Sequence, residues 1–277
     1  MPLPTAIGKR SGTGMSRLAI TGVSPPNCSE MDNPVDHHPM TARSVILSLL
    51  LGAHPAELSV REIRALTTLF GIGDTTVRVA LTRMVAAGDL VRTEAGYRLA
   101  ERLQARQLRQ DEACDPHRGS WDGTWKQLVI TSVGRDARDR NDLRTTLRQS
   151  RFGELREGVW LRPENLEVDL PPSVTDHVWI LHTRTDRPEV LAAQLWDLSG
   201  WSMYATALLQ WWDQAEAIPA RFVLAAAMVR HLLADPVLPD ELLPADWPAD
   251  EIRSRYREFK DELVALRDTA EMEEASL

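Results

Sequence analysis

The side chains best placed for chemistry in this sequence lie in the run Asp74-Thr75-Thr76-Val77-Arg78-Val79-Ala80-Leu81-Thr82-Arg83-Met84-Val85. At about 100° per residue, Val77, Ala80, Leu81, Met84 and Val85 share one side of a helix, and Thr75, Val79, Thr82 and Ala86 share the other. Arg78 and Arg83 flank that second side. A slim surface edged by guanidinium forks suits a DNA major groove, which admits a helix and rewards Arg with bidentate contacts to guanine. The chemistry is therefore recognition rather than catalysis. On spacing alone two other readings stay open: an ordinary amphipathic helix with solvated arginines, and a helix-turn-helix used for protein docking.

The neighbouring elements have to present that face. Asp74 follows Gly71-Ile72-Gly73 and carries a short acceptor, so it is read as the N-cap of the helix. Upstream, Ser59-Val60-Arg61-Glu62-Ile63-Arg64-Ala65-Leu66 reads as a second helix, with Ser59 and Glu62 spaced as a capping box. Thr41 is expected to cap an earlier helix whose stripe is Val45, Ile46, Leu49 and Leu50. Downstream, Asp89-Leu90-Val91-Arg92-Thr93 and Tyr97-Arg98-Leu99 flank Glu94-Ala95-Gly96 as a hairpin. Helix, turn, helix, hairpin predicts a winged helix-turn-helix over residues 41–112. Its last piece is an Arg-rich helix from Glu101 to Gln110. Thr41 to Gln110 holds ten Arg, no Lys and six Asp or Glu, so the segment is basic.

The whole chain is not. Its 277 residues carry a formal charge of −8, which argues against indiscriminate coating of nucleic acid and confines any DNA contact to a local surface. A hydrophobic content of 43% with 26% charged residues is enough for two or three packed units. Cys28 and Cys114 fall in expected loops with no CxxC spacing, which indicates neither a disulfide framework nor a thiolate metal site and fits a reducing cytoplasm. No apolar run approaches the ~20 residues of a membrane helix, and Ser11 to Ile20 lacks the apolar centre of a secretory signal. Residues 1–40, rich in Pro, Gly, Ser and Thr, are expected to be disordered.

After a linker from Cys114 to Ser120, a different pattern begins at Trp121-Asp122-Gly123-Thr124-Trp125. Lys126 to Val133, Phe152 to Leu155, Gly158 to Pro163 and His177 to Thr183 read as strands. Asp136 to Ser150, with Leu143 and Leu147 inward, and Pro188 to Leu195 read as helices. That order is most of a ferredoxin-like unit over residues 120–195. Residues 196–277 read as helical and crowded with aromatics, with Leu224, Met228, His231 and Leu232 on one face, and a last helix from Ala249 to Arg267. From Val190 to the end there are seven basic and sixteen acidic residues, so this part is not expected to touch DNA. The fold class expected is α+β.

Several chemistries are excluded. Gly71-Ile72-Gly73 lacks the third glycine and preceding strand of a dinucleotide site, and no phosphate-binding GxxxxGK[ST] occurs, so no cofactor is called for. His37-His38 lies in the lead segment, and His177 and His182, five apart on a strand, point to opposite faces, so no metal site is expected.

Three stretches resemble the PaaX-type transcriptional repressors of bacterial aromatic acid catabolism. They are Thr76-Val77-Arg78-Val79-Ala80-Leu81-Thr82-Arg83, Trp121-Asp122-Gly123-Thr124-Trp125, and Asp235-Pro236-Val237-Leu238-Pro239-Asp240-Glu241-Leu242-Leu243-Pro244 followed by Trp247. The resemblance implies a cytoplasmic homodimer on a palindromic double-stranded operator, released by an aromatic acyl-CoA such as phenylacetyl-CoA, and not an enzyme. The family's central domain also resembles a CRISPR-associated endoribonuclease, which supplies a nuclease alternative. Such a nuclease needs metal-binding carboxylates at the end of the first strand, and here that strand ends Thr131-Ser132-Val133. A regulator of the same architecture with a different effector is the other alternative.

On this reading Thr75, Val79, Thr82 and Arg83 read bases, Thr76 and Arg78 clamp phosphates, and Arg92, Tyr97 and Arg98 make wing contacts. An acyl-CoA needs an apolar slot and cations, which Trp201, Tyr204, Trp211, Arg221, Arg230 and His231 can supply. Trp201, Trp211 and Trp212 also suit a core or dimer interface, a reading that outweighs the ligand pocket for them. The basic helix Arg135 to Arg148 is a second candidate for the effector.

Overall fold

The computed structural model describes residues 31–37, 40–131 and 136–275. The expectations placed on residues 1–30, Cys28 among them, and on His38, Ser132, Val133 and Arg135, lie outside the described residues. The chain is α+β: eleven α-helices and two small antiparallel sheets among the described residues.

One turn of helix, α1 (Pro34–His37), rests on the later helix α10 (Ile218–Leu232) although its residues lack any periodic signal. Helix α2 (Ala42–Gly52) starts where Thr41 Oγ1 accepts the Ser44 N–H at 3.1 Å, and Val45, Ile46 and Leu50 are fully buried. Its last carbonyls, which no helical N–H can reach, are met by the Gln107 amide, donating to Leu51 O at 3.1 Å and Ala53 O at 2.8 Å. Strand β1 (Glu57–Ser59), helix α3 (Val60–Thr68), helix α4 (Asp74–Ala86) and strands β2 (Leu90–Arg92) and β3 (Gly96–Leu99) follow. The first sheet runs β1-β3-β2. Sequence patterning misses β1, because it exists only through pairing with β3. Gly96 permits that pairing, since a Cβ there would sit 2.2 Å from Leu58 O.

Helix α5 (Glu101–Cys114) is four residues longer than expected at its C-terminus. Cys114 therefore closes a helix rather than lying in a loop, and burial pushes its thiol up to about 12. The second sheet holds β4 (Trp125–Ile130), β5 (Gly153–Arg156), β6 (Val159–Pro163) and β7 (Val178–Thr183) in the order β5-β6-β4-β7, antiparallel throughout. Helix α6 (Ala137–Gln149), capped by Asp136, buries Leu143 and Leu147 with Leu128, Phe152 and Trp160 against one face. Between β6 and β7 the crossing helix is the single turn α7 (Pro172–Thr175). Helix α8 (Pro188–Leu195) lies after β7, and Ala192 joins Trp125, Val159 and Leu161 on the other face.

Helices α9 (Leu198–Gln214), α10 and α11 (Ala249–Ala275) complete the chain. The expected end of the last helix at Arg267 is exceeded: α11 continues to Ala275. One core runs without a break from Val45, Ile63, Leu81 and Met84 to Leu208, Phe222, Met228 and Phe259. Helix α11 packs on α3 and α10, and α10 packs on α5.

The proline-rich stretch 235–244 is a junction between the two halves. Leu238 and Leu242 are buried beneath the second sheet. The Asp235 carboxylate, 1% exposed, pairs with Arg253, 4% exposed, and accepts the Val237 N–H at 3.0 Å. Arg253 also donates to Ala113 O at 3.1 Å, so α5, the junction and α11 meet at one guanidinium. Asn165 donates to Val237 O at 2.9 Å, and its own Oδ1 accepts from the buried Arg162 at 3.3 Å. Buried polar groups are tolerated when partnered in this way. Burial lowers Arg162 to about 10.

Candidate nucleic-acid interface

Helix α3 is started by a complete capping box: Ser59 Oγ accepts the Glu62 N–H at 3.1 Å and Glu62 Oε2 accepts the Ser59 N–H at 2.6 Å. At its other end the chain turns through Gly71, whose φ of +67° lies in the left-handed region open to glycine. The turn bonds back to α3, with the Gly71 N–H donating to Thr68 O at 2.9 Å and the Ile72 N–H to Thr67 O at 3.2 Å.

Gly73, not Asp74, is the N-cap of α4, and it makes no side-chain capping bond. Asp74 occupies the first helical position, and its carboxylate receives a two-pronged contact from Arg64, Nε to Oδ1 at 2.8 Å and Nη2 to Oδ2. The Arg64 hydrogen bond holds the Asp74 carboxyl below its usual range. A fork from α3 thus fixes the start of α4. Sequence reasoning missed Arg64; its signal was an arginine ten residues before a helix-starting acid.

Val77, Leu81 and Met84 are buried, so α4 seats on the face expected. Ala80 is half-buried, and Val85 is 37% exposed, off the packed stripe where it was expected. Thr75, Thr76, Arg78, Val79, Thr82 and Arg83 are all exposed, Val79 by 45%. Thr82 donates its hydroxyl proton to Arg78 O at 3.0 Å, so that oxygen is left with acceptor capacity only. Among the described residues no carboxylate lies within ion-pair distance of Arg78 or Arg83. The face is small, apolar-to-neutral and bordered by two cations that form no ion pair among the described residues.

The hairpin is held from behind. Asp89, 2% exposed, receives Arg43 from α2 at 2.7 Å and Arg102 from α5, so the end of α4 and the start of β2 are tied to both flanking helices. Thr93 closes the tip: its N–H donates to Gly96 O and its Oγ1 accepts the Gly96 N–H, each at 3.0 Å, while its hydroxyl donates to Glu57. Arg92 and Arg98 are exposed and Tyr97 half-buried. Register pairs Arg92 with Tyr97 and Val91 with Arg98. Directly opposed residues share a face, so Arg98 lies on the other side of the hairpin from Arg92 and Tyr97.

The second set of expected residues divides. Trp201 stacks between His231 at 4.2 Å and Trp247 at 4.4 Å, and Tyr204 meets His231 and Trp211 edge-on. His231 Nε2 donates to Trp201 O at 2.9 Å, and burial lowers its pKa against the opposing pull of that bond and of Asp235. Arg221 stands apart from this stack, donating to Ala215 O at 2.9 Å and lying over the Trp212 ring. Arg230 is exposed and borders a cavity on the other side of α10. His182, on β7, pairs with Glu164 at 2.9 Å. No cluster of three or more His, Cys, Asp or Glu placed to hold a metal occurs among the described residues, and no helix among them is long and apolar enough to cross a membrane.

The geometry defines a class: a basic unit displaying a bare helix face, a four-stranded antiparallel middle, and an acidic helical end sharing the first unit's core. Three family profiles match the chain in that order: PaaX-like protein over residues 41–103, PaaX protein central Cas2-like domain over 118–186, and PaaX-like protein C-terminal domain over 201–273. The chain belongs to the PaaX family. It is 26% identical over 262 residues to the transcriptional repressor PaaX of Escherichia coli (strain K12), covering 79% of this chain and 80% of that one. A solved structure, uncharacterized protein Rv0674 from Mycobacterium tuberculosis, matches with a TM-score of 0.76 and 56% identity, covering 83% of this chain and 99% of that one.

Proposed function

We propose that this chain is a cytoplasmic, DNA-binding transcriptional repressor of an aromatic acid catabolic operon of the phenylacetate type, and not an enzyme. The observation that carries the reading is the exposed α4 face with Arg78 and Arg83 unpaired among the described residues, held out by the Arg64–Asp74 fork. Residues 41–112 act as a winged helix-turn-helix: α3 and α4 form the helix pair and β2–β3 the wing. Thr75, Val79, Thr82 and Arg83 read base edges, Thr76 and Arg78 hold phosphates, and Arg92 and Tyr97 approach the backbone from one face of the wing. Arg98 contributes from the hairpin's other side.

Residues 120–195 form a ferredoxin-like platform, a reading supported by the strand order β5-β6-β4-β7 and its antiparallel register. Residues 196–277 supply part of the effector site, whose ligand is a phenylacetyl-CoA-like thioester. A palindromic operator needs a twofold protein. Strand β7 suits that role, because it is a sheet edge on which Trp179, Ile180 and Leu181 are 67%, 41% and 43% exposed. Fluorescence anisotropy on DNA from upstream of the chain's own gene, with phenylacetyl-CoA added, tests the reading. Sequence-specific binding lost on adding the thioester is expected; equal binding to a scrambled fragment contradicts it.

A further inference from the structure

Between the DNA-binding unit and the C-terminal helices lies a cavity of about 120 Å³. Its apolar walls come from both sides of the seam: Leu49 of α2 and Leu66 of α3 face Phe222 of α10 and Phe259 of α11. At about 120 Å³ it is somewhat smaller than the roughly 150 Å³ apolar cavity that accepts a benzene ring, so it holds a short acyl group as it stands and an aryl ring once the seam widens. Four cations line it, Arg106, Arg230, Lys260 and Arg267, and no carboxylate does. Arg267 is occupied by Glu62 at 3.5 Å and Asp268 at 3.1 Å. Lys260 donates to His54 Nδ1 at 3.0 Å. Arg106 and Arg230 have no ion-pair partner among the described residues. The Tyr256 hydroxyl, also on the wall, has no hydrogen-bond partner among them. An apolar interior with a few convergent polar groups and uncompensated positive charge matches a ligand with an apolar body and an anionic head.

We propose that this seam cavity is the effector site, and that its ligand is an apolar-bodied anion whose aryl or acyl group enters between Leu66 and Phe222 while its anionic part meets Arg106, Arg230 and Lys260. The proposal rests on the repressor reading for its consequence, though not for the binding itself. The aromatic stack of Trp201, Tyr204 and His231 then backs the opposite face of α10, and Arg230 is the residue of the sequence-derived set that touches ligand. Helix α3 links the cavity to DNA. Leu66 lines the cavity, Glu62 is held by Arg267 of α11, and Arg64 holds the start of α4. A ligand that binds best when the seam is wider shifts the population toward conformers with α3 and α4 displaced, and so weakens operator binding.

The test is calorimetric titration of the full chain with phenylacetyl-CoA, phenylacetate and free coenzyme A, repeated on Ala226→Phe, which fills the cavity, and on Arg106→Ala/Arg230→Ala, which leaves its walls intact. Operator affinity without ligand is measured alongside. The expected result is binding of a phenylacetyl compound by the native chain, weakened about tenfold or more by each variant, with ligand-free operator affinity within about twofold of native. Tighter binding of the thioester than of phenylacetate assigns the anion to the nucleotide phosphates; the reverse assigns it to a carboxylate. Unchanged affinity in both variants, or no binding of either phenylacetyl compound by the native chain, overturns the proposal. Ligand binding that responds to the variants in a chain that ignores its operator retains the cavity and refutes the repressor reading instead.

Discussion

Replacing Asp235 by Ala tests whether the proline-rich junction is a structural clasp. The carboxylate is 1% exposed and its partner Arg253 4% exposed, so removing the acid leaves a guanidinium buried with its two other contacts, Ala113 O and the carboxylate of Asp250. Breaking a buried pair from one side costs about 3–5 kcal/mol, because the remaining charge stays out of water. Asp235 also accepts the Val237 N–H at 3.0 Å, beside a residue held at φ +51°, so the turn loses its support as well. At about 2–4 °C per kcal/mol for a chain of this size, Tm should fall by roughly 6–20 °C. Asp235→Asn keeps the acceptor for Val237 and should cost less than Ala. Asp250→Ala serves as the control: it removes a carboxylate that is 71% exposed and pairs with Arg118 and Arg253, and each pair made by so exposed a group contributes at most about 1 kcal/mol. Circular dichroism melts and urea midpoints of the three variants measure the order. A loss for Asp235→Ala no larger than that for Asp250→Ala refutes the clasp.

Three further outcomes follow from the site. Arg83→Ala should relax preference at one operator position by ~1–3 kcal/mol, whereas Arg92→Ala should weaken all sequences alike and flatten the salt dependence, as read by anisotropy on specific and scrambled DNA. Trp179→Glu on the open edge of β7 should convert a dimer to a monomer in light scattering; a mass unchanged by the substitution places the twofold elsewhere. His231 is half-buried and desolvation lowers its pKa, so the unfolded chain takes up that proton first as pH falls. Stability from its neutral form is present above the ordinary histidine value of 6.5 and declines as pH drops below it toward the lowered folded value. Urea titrations from pH 7.5 to 5.5 should show that decline, and His231→Gln should remove part of it.

Features written in a few consecutive residues were legible in the sequence. Thr41 and the Ser59–Glu62 box mark helix starts because capping is a three-residue interaction, and the Val77, Leu81 and Met84 spacing marks a buried face by itself. What escaped depends on partners distant in the chain. Strand β1 is three residues that become a strand only against β3, through the missing Cβ of Gly96. Asp74 looks like a cap until Arg64 is seen to claim its carboxylate. The stacking of Trp201 against His231 and Trp247 escaped as well, because both partners lie far along the chain. The seam cavity is illegible for the same reason: its cations sit on α5, α10 and α11, up to 161 residues apart from Arg106 to Arg267.

The central claim is that α4 reads DNA, and the most direct measurement is anisotropy of the native chain and of Arg78→Ala/Arg83→Ala on the upstream fragment and a scrambled one at physiological salt. The account predicts that the native chain prefers its own fragment by about 10³ or more and that the double variant loses most of that preference while staying folded. Native preference undiminished in the double variant would contradict it.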